Sequence, residues 1–158
     1  MIVQLPDLAA MERLGHAIAR ELRAGDVVAL AGGLGAGKTT LARAILAGLG
    51  HEGEVPSPSF SIIELYEPPT VRLPVVHADF YRLSRPEEAD EIGLEDYRYG
   101  AAMIAEWPDH AGGFAHETTC LSITLEPQQS APQLEDGGSG RIAIVEGGVD
   151  WLGRIPTL

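Results

Sequence analysis

The sequence predicts an α/β fold, with helices packed on a sheet that is parallel at its centre and antiparallel toward its edges. Three observations carry that expectation. The apolar run Val27-Val28-Ala29-Leu30-Ala31 reads as a buried strand. The glycine-rich stretch Gly32-Gly33-Leu34-Gly35-Ala36-Gly37-Lys38-Thr39 follows it directly and a helical pattern begins at once. Further on, two apolar runs each end in a carboxylate, Asp79 and Glu106. At 158 residues the chain suits a single domain, 1–158, with a real core.

In chain order, Ile2–Leu5 is a short β-type run ended by Pro6, after which Asp7 can cap a helix through its side-chain oxygen. Leu8, Met11, Leu14, Ile18 and Leu22 recur at helical spacing, with Gly25 as the stop and His16 on a solvated face. After the glycine-rich stretch, Leu41, Ile45 and Leu49 form the buried stripe of the next helix, which Gly48 and Gly50 help to end. Pro56-Ser57-Pro58-Ser59 then breaks regular structure and presents two hydroxyls on a loop.

Ser61–Tyr66 and Val71–Ala78 read as a hairpin-like pair of strands around Pro68-Pro69. Pro86–Gly93 is acidic, one or two helical turns with a solvated face of Glu87, Glu88, Asp90 and Glu91. Ala101–Ala105, Thr118–Leu125 and Arg141–Val145 are the remaining strands. Pro127–Gly140, rich in Gln, Ser, Pro and Gly, is expected to be a mobile loop, and Trp151 a packing plug in the tail.

The glycine-rich stretch matches G-x-x-x-x-G-K-[ST] at every fixed position. Its glycines let backbone N–H groups turn inward around phosphate oxygens, and the next helix points its positive end at them. Lys38 would reach the β- and γ-phosphates, and the Thr39 hydroxyl a magnesium ion bridging them. Lys38 is the only lysine, the other ten basic residues being arginine. A compact ammonium suits clustered phosphate oxygens in a way a planar guanidinium does not. A carboxylate at the end of a strand downstream is the expected second magnesium anchor or water-orienting group, and α/β sheets place ligands at that strand edge, so Asp79 and Glu106 are expected to meet there. The hydroxyls of Ser57 and Ser59 suit either a nucleotide-sensing loop or an ordinary turn.

Composition excludes some partners and frameworks. The formal charge is −12, which opposes unaided binding to a phosphate backbone. One cysteine, Cys120, permits no internal disulfide and reads as an unreactive buried thiol. No run of about eighteen apolar residues is present, so a soluble, cytoplasmic protein without a membrane partner is expected.

Taken together, the loop, Ser57-Pro58-Ser59-Phe60, His77-Ala78-Asp79-Phe80-Tyr81-Arg82-Leu83 and Glu106-Trp107-Pro108 resemble the bacterial tRNA threonylcarbamoyladenosine biosynthesis ATPase family, TsaE, also called YjeE. The resemblance runs from the first helix through Pro108. It implies a P-loop NTPase-like three-layer sandwich that binds ATP and magnesium. It also implies slow hydrolysis assisting a TsaB- and TsaD-type protein pair, which transfers a threonylcarbamoyl group to adenosine 37 of tRNA. By residue, it implies that Gly35, Ala36, Gly37, Lys38, Thr39 and Thr40 hold the phosphates. Thr39 and Glu106 would hold the magnesium, Asp79 would orient or activate water, and Ser57 and Ser59 would belong to a switch-like loop. Contact with tRNA would be indirect. The chain departs from the family at Gly33, often an aspartate there, and at Ser59, often a threonine.

A small-molecule kinase on the same loop is the alternative. Such enzymes carry an arginine-rich lid, and no arginine-rich segment follows Arg98. A GTP-dependent switch is disfavoured because Asn-Lys-x-Asp needs a second lysine.

Overall fold

The computed structural model describes residues 1–128 and 140–157. Its seven strands form one sheet, in the order β1-β7-β6-β2-β5-β4-β3. They are β1 (Ile2–Leu5), β2 (Val27–Ala31), β3 (Ile63–Tyr66), β4 (Val75–Asp79), β5 (Ala102–Glu106), β6 (Cys120–Pro127) and β7 (Arg141–Gly147). Strands β6, β2, β5 and β4 are mutually parallel neighbours, while β1, β7 and β3 pair antiparallel at the flanks. The expected mixed sheet with a parallel core is therefore present. Because alternate residues leave opposite faces, β2 sends Val28 and Leu30 to one core and Val27 and Ala29 to the other.

The first core lies under α1 (Leu8–Glu21) and α2 (Lys38–Gly48). The second is covered by the short helices α3 (Glu87–Glu91) and α4 (Leu94–Arg98) and the 3-10 turn Pro108–Ala111. Asp7 caps α1 as expected, its carboxylate accepting from the Ala10 N–H at 2.8 Å. Leu14, Ile18, Leu41 and Ile45 are fully buried, each contributing on the order of 1.5–3 kcal/mol. The two helices approach so closely that a Cβ on Gly15 would stand 2.4 Å from that of Ala44, and one on Gly48 2.7 Å from that of Ala19. Close packing, rather than helix termination, is thus the reason for glycine at 48. The turn after α2 falls to Gly50, with φ of 110°.

Several boundaries differ from the sequence expectation. Helix α1 ends at Glu21, before Gly25 is reached. The strand expected at Val71–Ala78 begins only at Val75, and its partner begins at Ile63. Residues 71–73 instead pack over the ends of α1 and α2. Val71 and Leu73 join the core, and the Arg72 guanidinium donates to the Ala19 and Leu22 carbonyls at 2.7 and 3.0 Å. A cation there complements the negative end of the α1 dipole. Of the expected 127–140 loop, Pro127 belongs to β6, and the Gln128 N–H donates to the Gly140 carbonyl. Residues 129–139 lie outside the described residues. Trp151 is fully buried, with its indole N–H on the Thr119 carbonyl, as a plug should be.

Candidate functional site

The loop between β2 and α2 needs backbone that only glycine adopts without strain: φ is 143° at Gly32, 73° at Gly35 and 102° at Gly37. A cleft of about 430 Å³ opens over it, bounded by residues 34–40 and by Ser59, Asp79, Tyr81, Arg82, Glu106 and Trp107. Every candidate position from Gly35 to Thr40 lines this cleft, together with Ser59, Asp79 and Glu106. Ser57 joins through its hydroxyl, 2.8 Å from that of Ser59. The Ala36 N–H is turned inward to the Gly33 carbonyl at 3.1 Å, so that amide braces the loop. No atom lies within 4 Å of where a Cβ on Gly33 would stand, which leaves room for a carboxylate side chain there.

Lys38 is 95% buried, and its ammonium donates to the Gly32 and Gly33 carbonyls at 2.9 and 2.7 Å. It also lies 4.2 Å from the centre of the Trp107 ring, where the π face attracts a cation. Burial pulls the Lys38 pKa below the ordinary lysine value, with the Glu106 and Asp79 carboxylates acting the other way.

Parallel pairing of β4 with β5 sets Asp79 directly beside Glu106, and β5 pairs with β2 so that Glu106 stands beside Leu30 at the mouth of the loop. The expected meeting of the two carboxylates is therefore a matter of register. Thr39 donates its hydroxyl to Glu106 Oε1 at 2.7 Å. Asp79 accepts from the Ser59 hydroxyl at 3.1 Å and from the Tyr81 N–H at 2.9 Å. Among the described residues, no group of three or more His, Cys, Asp or Glu could hold a metal alone. One hydroxyl and one or two carboxylates beside the glycine-rich loop nonetheless suit magnesium, which takes few protein ligands and completes its shell with phosphate and water.

Sequence reasoning missed three contributors. His77, fully buried, lies 2.7 Å from Glu106 Oε2 through Nε2; a histidine two residues before Asp79 on a strand was the available signal. Trp107, held at φ of 54°, covers Lys38, and packs with Tyr81 at 4.9 Å. Arg141 donates to the Ala36 and Gly35 carbonyls, both at 3.1 Å, from a strand that nothing local connects to the loop. Arg82 lines the cleft, with its guanidinium 4.4 Å from the Phe60 ring centre, whereas Arg85 is not among the lining residues and pairs with Glu91 at 2.6 Å.

The family model for threonylcarbamoyl adenosine biosynthesis protein TsaE matches residues 5–134. The Haemophilus influenzae tRNA threonylcarbamoyladenosine biosynthesis protein TsaE is 37% identical over 137 residues, 83% of this chain and 85% of its own. Its Streptomyces coelicolor counterpart is 43% identical over 98 residues, 61% of this chain and 66% of its own. In three dimensions the chain is similar to a crystal structure of YdiB from Bacillus. That match has a TM-score of 0.72 at 24% identity, covering 98% of this chain and 90% of that one, a likeness of fold.

Proposed function

The chain belongs to the TsaE family of threonylcarbamoyl adenosine biosynthesis proteins, and from that premise we propose that it is a magnesium-dependent ATPase of low intrinsic activity. Its slow hydrolysis would assist a TsaB- and TsaD-type pair that forms threonylcarbamoyladenosine at position 37 of tRNA. The observation that carries this reading is the register of β4 and β5, which sets Asp79 beside Glu106, while Glu106 accepts from the Thr39 hydroxyl next to the phosphate loop.

In this reading the loop amides surround the phosphates, and Lys38 exchanges its two loop carbonyls for phosphate oxygens. Thr39 and Glu106 would hold magnesium, which would supply charge neutralisation at the phosphate oxygens. Asp79, with its two accepted hydrogen bonds fixing the carboxylate, orients a water for in-line attack. Ser59 ties the loop to that carboxylate. Across Thr40, a larger cleft of about 900 Å³ between α1, α2 and residues 51–56 offers room for ribose and base. The charge of −12 supports partners, rather than this chain, carrying the tRNA contact. Leu34 at the cleft and Phe60 against Arg82, 77% and 84% exposed, offer apolar surface for such partners. Among the described residues no helix is long and apolar enough to cross a membrane, and a tRNA-modifying role supports a cytoplasmic location.

The test is ATP turnover by the purified chain alone, with the transfer pair, and with the pair plus tRNA, using Lys38→Ala as blank. Low turnover that rises with the partners is the expected result. Phosphate appearing on an added small molecule, unaffected by the partners, would replace this reading with a kinase.

A further inference from the structure

We propose that His77 is a positioning residue, fixing the Glu106 carboxylate so that one oxygen faces the magnesium position. This rests on the nucleotide and magnesium reading above. His77 and Asp79 leave the same face of β4, two residues apart, and Glu106 lies diagonally across from His77 on β5. The imidazole is completely buried and its Nε2 is 2.7 Å from Glu106 Oε2. The other ring nitrogen, Nδ1, meets no partner among the described residues.

That asymmetry assigns the proton. A hydrogen on Nδ1 would be a buried donor with nowhere to go, whereas a hydrogen on Nε2 meets a carboxylate. The tautomer with Nε2–H therefore donates upward to Glu106. The two Glu106 oxygens then differ in kind: Oε2 is tied to a ring packed in the core, and Oε1 faces the loop beside the Thr39 hydroxyl. A side chain present only to fill this space would be aliphatic, as Val75 and Ile104 on the same face are. Instead the position carries a polar ring with one nitrogen unsatisfied, a cost that the bond to Glu106 offsets. Outer partners of this type set metal affinity by roughly 10- to 100-fold.

The test uses the full chain and equilibrium binding of a fluorescent ATP analogue, titrated with magnesium and repeated in EDTA, with thermal unfolding recorded for each variant. His77→Leu is expected to raise the half-saturating magnesium concentration about tenfold or more while affinity in EDTA stays within about twofold. His77→Gln, which keeps an N–H donor of similar reach, is expected to restore most of the loss. If Leu and Gln both keep the wild-type magnesium response, His77 only fills space and the proposal fails. Should the Leu variant not fold, His77→Asn, too short to reach Glu106, replaces it. Asn weak beside a near-normal Gln supports positioning, and Asn equal to Gln overturns it. A wild-type chain that binds the analogue equally in magnesium and in EDTA overturns the magnesium reading itself, and this proposal with it. A wild-type chain that responds to magnesium beside unresponsive differences among the variants overturns this proposal alone.

Discussion

Ser59 and Asp79, 20 residues apart, are joined by a hydrogen bond of 3.1 Å from the serine hydroxyl to Asp79 Oδ2. The bond ties the Pro-rich loop to the carboxylate that stands beside Glu106. The Ser57 hydroxyl, 2.8 Å from that of Ser59, extends this chain of contacts outward along the loop. A hydrogen bond to a charged group is worth about 1.5–3 kcal/mol. Ser59→Ala is expected to lower ATP turnover about tenfold and to change ATP affinity by less than about threefold. Asp79→Asn should lower turnover further with affinity retained. Single-turnover kinetics beside equilibrium binding separate the two quantities, and a Ser59→Ala variant with normal turnover would remove the loop from the mechanism.

Lys38 is the chain's one lysine, and its surroundings are fitted to a compact side-chain ammonium. Two loop carbonyls accept from it and the Trp107 ring lies beneath it. Lys38→Ala is expected to abolish measurable ATP binding and turnover together. Lys38→Arg should do nearly as badly, because the planar fork cannot occupy a pocket shaped for a compact cation. Calorimetric ATP titration of both variants checks this, and an arginine variant of normal affinity would contradict the assigned role of the ammonium.

Burial lowers the pKa of Lys38 below 10.5, so the folded protein gives up this proton at a lower pH than the unfolded chain does. Between those two values the unfolded state holds the Lys38 proton more tightly, and the contribution of Lys38 to stability accordingly rises with pH across that window. ATP affinity goes the other way, falling as the ammonium is lost from the free protein. Burial raises the pKa of Cys120 and Tyr66, which adds to stability a slope of the opposite sign, so the Lys38 part is read as the difference in stability between the wild type and Lys38→Ala. Parallel denaturation and binding series from neutral pH to 10.5 measure both signs, and a wild-type affinity that is flat across the window would contradict the lowered value.

How much of this was legible follows from the range of each interaction. The strand–loop–helix unit and the capping by Asp7 depend on neighbours in sequence, and they appear where periodicity and glycine spacing predicted them. Asp79 and Glu106 were legible as strand ends, and their adjacency followed once both strands were taken as parallel. Arg72 on the end of α1, Arg141 on the loop and the contact of Gly15 with Ala44 were not legible. Each depends on a partner brought close only by the fold. His77 lay between these cases: its position on the strand was readable, but its partner, 29 residues on, was not.

Cys120 stands at the start of β6, buried, with its sulfur 3.5 Å from the Ser122 hydroxyl. Burial raises its pKa above the usual 9.0, which keeps the thiolate scarce as well as hidden. The native chain is expected to resist a colourimetric thiol reagent at pH 8 and to release one equivalent once denaturant unfolds it. A labelling rate in native buffer that matches that of a free thiol would show that this end of the sheet opens readily.

The start of β2 is tied to the C-terminal segment by Arg154, which donates to both Asp26 carboxylate oxygens at 2.8 and 2.9 Å. It also reaches the Glu21 carbonyl at the end of α1 at 2.6 Å, and lies 4.1 Å from the centre of the Trp151 ring. Arg154 and Asp26 are 8% and 3% exposed, so removing one partner strands a charge that water reaches poorly. Asp26→Ala is accordingly expected to cost about 3–5 kcal/mol. Replacing both, as Asp26→Leu with Arg154→Met, should recover most of it, because two apolar side chains of similar volume strand no charge. Urea denaturation of the three chains measures the difference. A double variant no more stable than Asp26→Ala would mean that the bond to the Glu21 carbonyl, rather than the ion pair, holds the C-terminal segment in place.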